Sequence, residues 1–252
     1  MMLTPAKANA GNSSNDRSKD GFESASIVLP VINEVASLNQ IVDTVFENNK
    51  ASIREVLIIF CHKTTDESLS ACNALRERYA GKIRIIRQNR PFLGGALQEG
   101  FGAARGSHVI VMYSDGESNP LSVGDLIREA RQNPQAIISA SRWLHGSSFA
   151  GYSKMKLLLN FLFQKVFALL YWKNITDFTF GYRIYPVPLI QAIEWEETGH
   201  SFVFESILKP LRLNVSILEI PTSWKARSEG KSQLKFYMYP RYVWVGLKLR
   251  FS

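Results

Sequence analysis

Cysteine is nearly missing from this chain. Cys61 and Cys72 are the only two in 252 residues, which excludes a disulfide framework and points to a reducing compartment. Histidine is scarce too, at four. Cys61, His62 and Cys72 do not stand at a spacing that closes a zinc site, and all three read as ordinary. Acidic residues are in deficit, 22 against 30 lysines and arginines, for a net charge of +8. That balance favours anionic partners: nucleotides, phosphates, nucleic acid or acidic lipid. The basic residues are spread along the chain and no nucleic-acid motif accompanies them, which sets nucleic acid aside. Residues 1–24 lack the apolar segment of a secretory signal and are rich in Ser, Asn, Asp and Lys. They read as a disordered leader. No apolar run is long enough for a clean membrane span.

What is present is an alternation. The chain is 46% hydrophobic, enough for a globular core. ASIVLPV (25–31), EVLIIF (55–60), KIRIIR (82–87), HVIVMY (108–113) and AIISAS (136–141) read as strands. Helical stretches at 35–49, 66–79, 94–105 and 121–132 separate them, the first with Leu38, Ile41, Val42 and Val45 on one face. Short β-branched runs between helices predict an α/β domain with a mainly parallel twisted sheet covered on both faces. In such sheets ligands gather outside the carboxyl ends of the strands.

One of those ends reads VMYSDGESNP. An apolar strand stops at Asp115, and Glu117 follows after one glycine. A solvated turn would look the same, but a D-x-E pair at a strand end also suits a hard divalent cation held by oxygen. Such an ion can neutralise a leaving diphosphate. The preceding PFLGGALQEGFGAARG is no P-loop, since G-K-[ST] is missing. Gly100, Gly102 and Gly106 miss the dinucleotide fingerprint by one residue. Gly94 and Gly95 at a helix start either let backbone approach a phosphate or allow close helix–sheet packing.

Five segments in order carry a family resemblance: SIVLPVINE, CHKTTDES, GGALQEGFGAARGSHVIVMYSDGESNP, DFTFGYRIYP and EIPTSWKARSEGKSQLKF. Together they resemble the family 2 inverting nucleotide-sugar glycosyltransferases, and within them the dolichyl- or polyprenyl-phosphate sugar transferases. The resemblance runs from about Ser26 to Phe236. It implies a single nucleotide-sugar-transferase domain of GT-A type over residues 25–235, with residues 236–252 as an amphipathic tail at a membrane interface.

The resemblance also implies roles. Pro30 and Glu34 would line the nucleotide pocket, with Asp66 beside it. Asp115 and Glu117 would hold Mg2+ or Mn2+ and the diphosphate. Arg227 and Ser232 would lie in the closing loop, the arginine clamping phosphate through its fork of donors. Arg142 would face the acceptor phosphate. Asp177 and Glu205 would each orient a basic residue or the acceptor, though Asp177 equally suits a cap of the turn before Gly181. The sequence departs from the family pattern at several points. Ile32 replaces an aromatic, Cys61 and His62 replace an acidic pair, Glu117 replaces an aspartate, Phe180 a serine and Gln233 a lysine. The donor base pocket is therefore not standard, and a non-catalytic binding protein of the same fold is the rival expectation, as is a soluble acceptor.

Residues 153–173 are nearly apolar, and Ser153, Lys156, Asn160 and Gln164 share one narrow helical stripe. Such a helix lies in a bilayer interface or packs under the core. Lys156 joins the substrate-binding candidates on the acceptor side. The tail mixes aromatics with Arg241, Lys248 and Arg250, a mixture that suits a headgroup layer. The expected partners are a nucleoside-diphosphate sugar, a polyprenyl-phosphate acceptor and a membrane surface, for a cytoplasmic protein peripheral at the membrane.

Overall fold

A computed structural model of the chain describes residues 21–151, 153–227, 229 and 238–252. The expected leader lies almost wholly outside the described residues. So do Ser232 and the first two residues of the expected tail.

Strand and helix alternate through the first half: β1 (Ala25–Val31), α1 (Ala36–Asn49), β2 (Ile53–Phe60), α2 (Asp66–Arg78), β3 (Ile83–Arg87), α3 (Phe92–Ala103), β4 (His108–Val111), α4 (Ser122–Gln132) and β5 (Ile137–Ser141). The second half is less regular: β6 (Ser148–Ala150), α5 (Lys154–Tyr171), β7 (Arg183–Pro186), α6 (Val187–Ala192), α7 (Phe202–Arg212), β8 (Ile217–Pro221), β9 (Ser223–Lys225) and α8 (Tyr239–Phe251). Seven strands form one sheet in the order β3-β2-β1-β4-β7-β5-β8, and β6 and β9 pair apart from it. Strand β7 runs antiparallel to both its neighbours, and the remaining pairs are parallel. The mainly parallel sheet expected from the sequence is therefore present, with one inverted strand.

Parallel strands covered on both faces must be apolar throughout. In β1, Ala25, Ile27, Val28, Leu29 and Val31 are all buried. One face packs against α1, α2 and α4, where Leu38, Ile41, Val42 and Val45 are buried as their spacing predicts. Each such side chain contributes about 1.5–3 kcal/mol on burial. The other face packs against α3 and α6. A third cluster joins α5, α7 and α8 through Phe167, Phe204, Ile207, Tyr242 and Val245.

Helix α2 starts where Thr65 accepts from Ser68 N, a cap that satisfies one orphan donor. Helix α3 starts two residues earlier than its glycines suggest, at Phe92. Strand β4 stops at Val111, two residues short of the apolar run, because the chain there already turns toward Asp115.

Helix α5 is inside out. Of its 18 residues only Gln164 and Phe167 are buried. Leu158, Leu162 and Leu169 stand 52%, 50% and 67% exposed. Only the Asn160–Gln164 end of the polar stripe faces the protein, Ser153 and Lys156 being exposed: Gln164 Nε2 donates to Thr179 Oγ1 at 2.7 Å, and its Oε1 accepts from Phe178 N at 2.8 Å. No described helix is long and apolar enough to cross a membrane.

Candidate active site

The carboxylate turn follows β4. Gly116 has a left-handed φ of 78°, a conformation that strains any residue with a Cβ. The turn lets Asp115 Oδ1 accept from Glu117 N at 3.0 Å. Both carboxylates converge on one cation. Arg227 Nη2 lies 3.0 Å from Asp115 Oδ2 and 2.8 Å from Glu117 Oε1, and Arg227 Nε donates to Glu117 Oε1 at 2.9 Å. Trp224 Nε1 donates to Glu117 Oε2 at 3.3 Å. Burial, then the charge of Glu117, pushes the Asp115 carboxyl up to about 6, against the opposing pull of Arg227. A cation beside it favours the charged form.

This geometry tests the metal that the family resemblance implies. Two hard oxygen donors share one cation position, which fits Mg2+ or Mn2+ bound through one or two carboxylates and completed by phosphate and water. No larger cluster of His, Cys, Asp and Glu forms among the described residues. The donor set therefore suits an ion shared with a diphosphate rather than a closed protein cage.

Of the nucleotide-pocket candidates, Pro30 adjoins the turn. Ser114 Oγ donates to Pro30 O at 2.6 Å and so ties the end of β1 to the turn. Glu34 accepts from Ile32 N and Asn33 N at 2.7 and 3.0 Å, folding its carboxylate into its own loop. Asp66 is exposed in the first turn of α2. Glu229 accepts from Val35 N, Ala36 N and Ser37 N at 3.0, 3.1 and 3.0 Å. It thereby caps α1, which lacks a cap of its own. The Ser37 N–H, aided by the other donors, holds the Glu229 carboxyl down at about 2.

Gly94 and Gly95 both stand at close packing contacts. A Cβ on Gly94 would lie 2.6 Å from Glu197 O, and one on Gly95 would lie 2.7 Å from Arg90 C. Gly95 N donates to Thr198 O at 3.1 Å, so this N–H is already used. The loop they receive holds His200, whose imidazole is pushed down by burial and then by the charge of Arg227.

Arg142 and Asp177 form a buried fork. Arg142 Nε and Nη2 lie 2.7 and 3.0 Å from Asp177 Oδ2 and Oδ1. Arg142 Nη2 also donates to Thr179 Oγ1 at 3.1 Å, and its guanidinium sits 4.7 Å from the Phe180 ring centre. Asp177 Oδ1 also accepts from Phe180 N at 3.1 Å, the bond expected of a cap on the turn before Gly181. Glu205 pairs with Lys209 at 2.8 Å and accepts from Glu196 N and Glu197 N at 2.9 Å each. It organises its own loop. Lys156 is exposed on α5 with Lys154 and Lys165.

The basic residues of the tail have partners within the chain. Arg241 forks onto Glu197 at 2.7 and 3.0 Å, Lys248 pairs with Glu196, and Arg250 Nε donates to Leu170 O at 2.8 Å. Arg241 and Lys248 are engaged because α8 lies on α7 beside an acidic loop, and Arg250 reaches the end of α5. Trp224 and Glu229 escaped the sequence reading. Only the position of Trp224 in EIPTSWKAR, three residues before Arg227, signalled it. A cavity of about 720 Å³, lined by Gln98, Phe101, Gln191 and Trp195 among others, shares no residue with the carboxylate site.

A family model described as "Glycosyl transferase family 2" matches residues 26–193. The undecaprenyl-phosphate mannosyltransferase of Micrococcus luteus is 27% identical over 156 residues, 60% of this chain and 63% of the relative. The chain thus matches less than two thirds of that relative's length. The polyprenol monophosphomannose synthase of Mycolicibacterium smegmatis is 24% identical over 219 residues, 82% of this chain and 80% of the relative. Among solved structures, glucosyl-3-phosphoglycerate synthase from Mycobacterium tuberculosis in complex with Mn2+, UDP and phosphoglyceric acid has a TM-score of 0.71 at 17% identity, covering 90% of this chain and 78% of its own. Its complex with Mg2+ and UDP gives 0.69, also at 17% identity, with coverage of 90% and 79%. This likeness is one of fold, and it is the GT-A fold the sequence led us to expect.

Proposed function

The chain belongs to glycosyl transferase family 2, and from that premise we propose that it moves a sugar from a nucleoside-diphosphate sugar to a polyprenyl phosphate, with inversion, using Mg2+ or Mn2+ at Asp115 and Glu117. The observation that carries this reading is the convergence of the two carboxylates on one cation position at the end of β4. The names of the two relatives support the acceptor class.

The bound ion would neutralise charge on the leaving diphosphate. Arg227, already placed at both carboxylates, would clamp the diphosphate oxygens with its planar fork. The acceptor phosphate is ionised at neutral pH, so its oxygen attacks the anomeric carbon without a strong general base. The bond from that carbon to the diphosphate oxygen breaks as the new bond forms on the opposite face, and the nucleoside diphosphate departs. Catalysis is then positioning plus electrostatic stabilisation. Arg142 and Lys156 are the acceptor-phosphate candidates, with Asp177 fixing the guanidinium. Ser232 retains only its sequence-based assignment to the closing loop.

The protein would act as a cytoplasmic protein held at the membrane. The apolar outer face of α5, with Lys154, Lys156 and Lys165 exposed beside it, suits insertion at an anionic interface. Each basic residue there adds about 1 kcal/mol.

Calorimetry of UDP and GDP, each with and without Mn2+, tests the reading. Metal-dependent binding is expected, within about tenfold between the two bases because the acidic pair at Cys61 and His62 is missing; about 1.4 kcal/mol is the corresponding limit. Asp115→Asn should abolish it with the fold intact. Binding unchanged in that variant, or no binding by the intact protein, would favour the non-catalytic alternative.

A further inference from the structure

Helix α1 takes its cap from far along the chain. Val35 stands at the capping position and makes no side-chain cap. Glu229 supplies one instead. Its carboxylate accepts from Val35 N, Ala36 N and Ser37 N at 3.0, 3.1 and 3.0 Å, and from Ser37 Oγ at 2.8 Å. A serine, threonine or aspartate at position 35 would serve the helix as well, and locally. Capping alone therefore does not explain a carboxylate drawn from 194 positions away.

What Glu229 brings with it is Arg227. One residue separates the two in the chain, so their backbones stand within about 7 Å of each other. Arg227 is held from its other side as well. Ala226 N donates to Ala150 O at 2.9 Å, which continues the pairing of β9 with β6. Between these two fixed points, the guanidinium reaches Asp115 Oδ2 at 3.0 Å and Glu117 Oε1 at 2.8 Å.

A guanidinium fork binds two oxygens only when its plane is aimed at them. A long side chain whose base is already fixed also loses less freedom when its head group engages a ligand. An anchor two residues beyond Arg227 supplies both conditions. The same anchor grips the loop that joins β1 to α1, where Pro30 and Glu34 are the nucleotide-pocket candidates. Glu34 holds the amides of Ile32 and Asn33, and Glu229 holds those of the next turn. Two carboxylates thus fix this loop, and the second ties it to Arg227.

We propose that Glu229 is a positioning residue: by binding the start of α1, it holds the Arg227 backbone where the guanidinium can clamp a diphosphate. The assignment rests on the nucleotide-sugar reading above and gives Glu229 its effect on binding through Arg227.

The test is calorimetry of UDP and GDP with Mn2+, paired with urea unfolding. The proteins are the intact chain, Glu229→Ala, Glu229→Ala with Val35→Thr, Arg227→Lys, and Arg227→Lys with Glu229→Ala. For each base that the intact protein binds, Glu229→Ala should weaken the diphosphate about threefold to tenfold. Val35→Thr gives α1 a local cap, so it should restore the urea midpoint while the affinity stays low. Lysine keeps the charge of Arg227 without its fork. In that background Glu229→Ala should change the affinity by no more than about twofold, because residues that act as a unit are not additive. Recovery of affinity together with the midpoint, the same loss in both backgrounds, or no loss in Glu229→Ala overturns the assignment and leaves the transferase reading intact. Failure of the intact protein to bind either diphosphate overturns that reading, and the assignment with it.

Discussion

Helices α1 and α5 both carry leucines at helical spacing, and they face opposite ways. Leu38 of α1 is fully buried against the sheet, whereas Leu158 of α5 is 52% exposed. On α5 the buried side is polar in part: beside Phe167, Gln164 and Asn160 find Thr179 there, and Trp143 Nε1 donates to Asn160 Oδ1 at 3.2 Å. The pair teaches that an apolar stripe fixes the existence of an amphipathic helix but not what covers the stripe. Polar side chains decide the orientation where the fold offers them satisfied partners, since a buried polar group without one is costly.

Asp177→Ala should break the comparison most severely, by removing the polar floor under α5. It leaves Arg142 buried without its partner, and a loss of about 3–5 kcal/mol in urea unfolding is expected. Leu38→Ala tests the opposite region and should cost about 2–5 kcal/mol by opening a cavity under α1. Gln164→Leu sharpens the contrast. Surface logic would make it harmless on so apolar a helix, but it strips Phe178 N of its acceptor, so a loss of about 1–3 kcal/mol is expected. The smallest effect belongs to Leu162→Ser, within about 0.5 kcal/mol by the same unfolding measurement. That variant should nonetheless reduce co-sedimentation with anionic liposomes. In the intact protein, this binding should fall at high salt without vanishing, because only its charged part is screened.

The sequence disclosed most of the donor half. Its strands are short β-branched runs, its helices carry regular stripes, and Asp115 and Glu117 stand at a strand end by local pattern alone. The acceptor half was harder to read because its defining contacts are distant in the chain. Arg142 meets Asp177 across 35 positions, and Arg241 meets Glu197 across 44. No periodicity reports such pairings, so the sequence did not show that Arg241 and Lys248 of the tail pair with the loop before α7. Gly94 was ambiguous for the same reason, since the backbone it admits lies about a hundred residues away, at Glu197 and Thr198.

The inverted packing of α5 has a thermal consequence. Exposing apolar area raises heat capacity by about 0.45 cal/K/mol/Å², and exposing polar area lowers it by about 0.26. Lifting α5 uncovers both kinds, Phe167 together with Gln164 and Asn160, so the two contributions oppose each other. Lifting α8 uncovers Tyr242, Val245 and Leu249 against Phe204 and Ile207 and at the same time breaks the Arg241–Glu197 and Lys248–Glu196 pairs. The apolar part of each attachment weakens on cooling as hydrophobic contacts do.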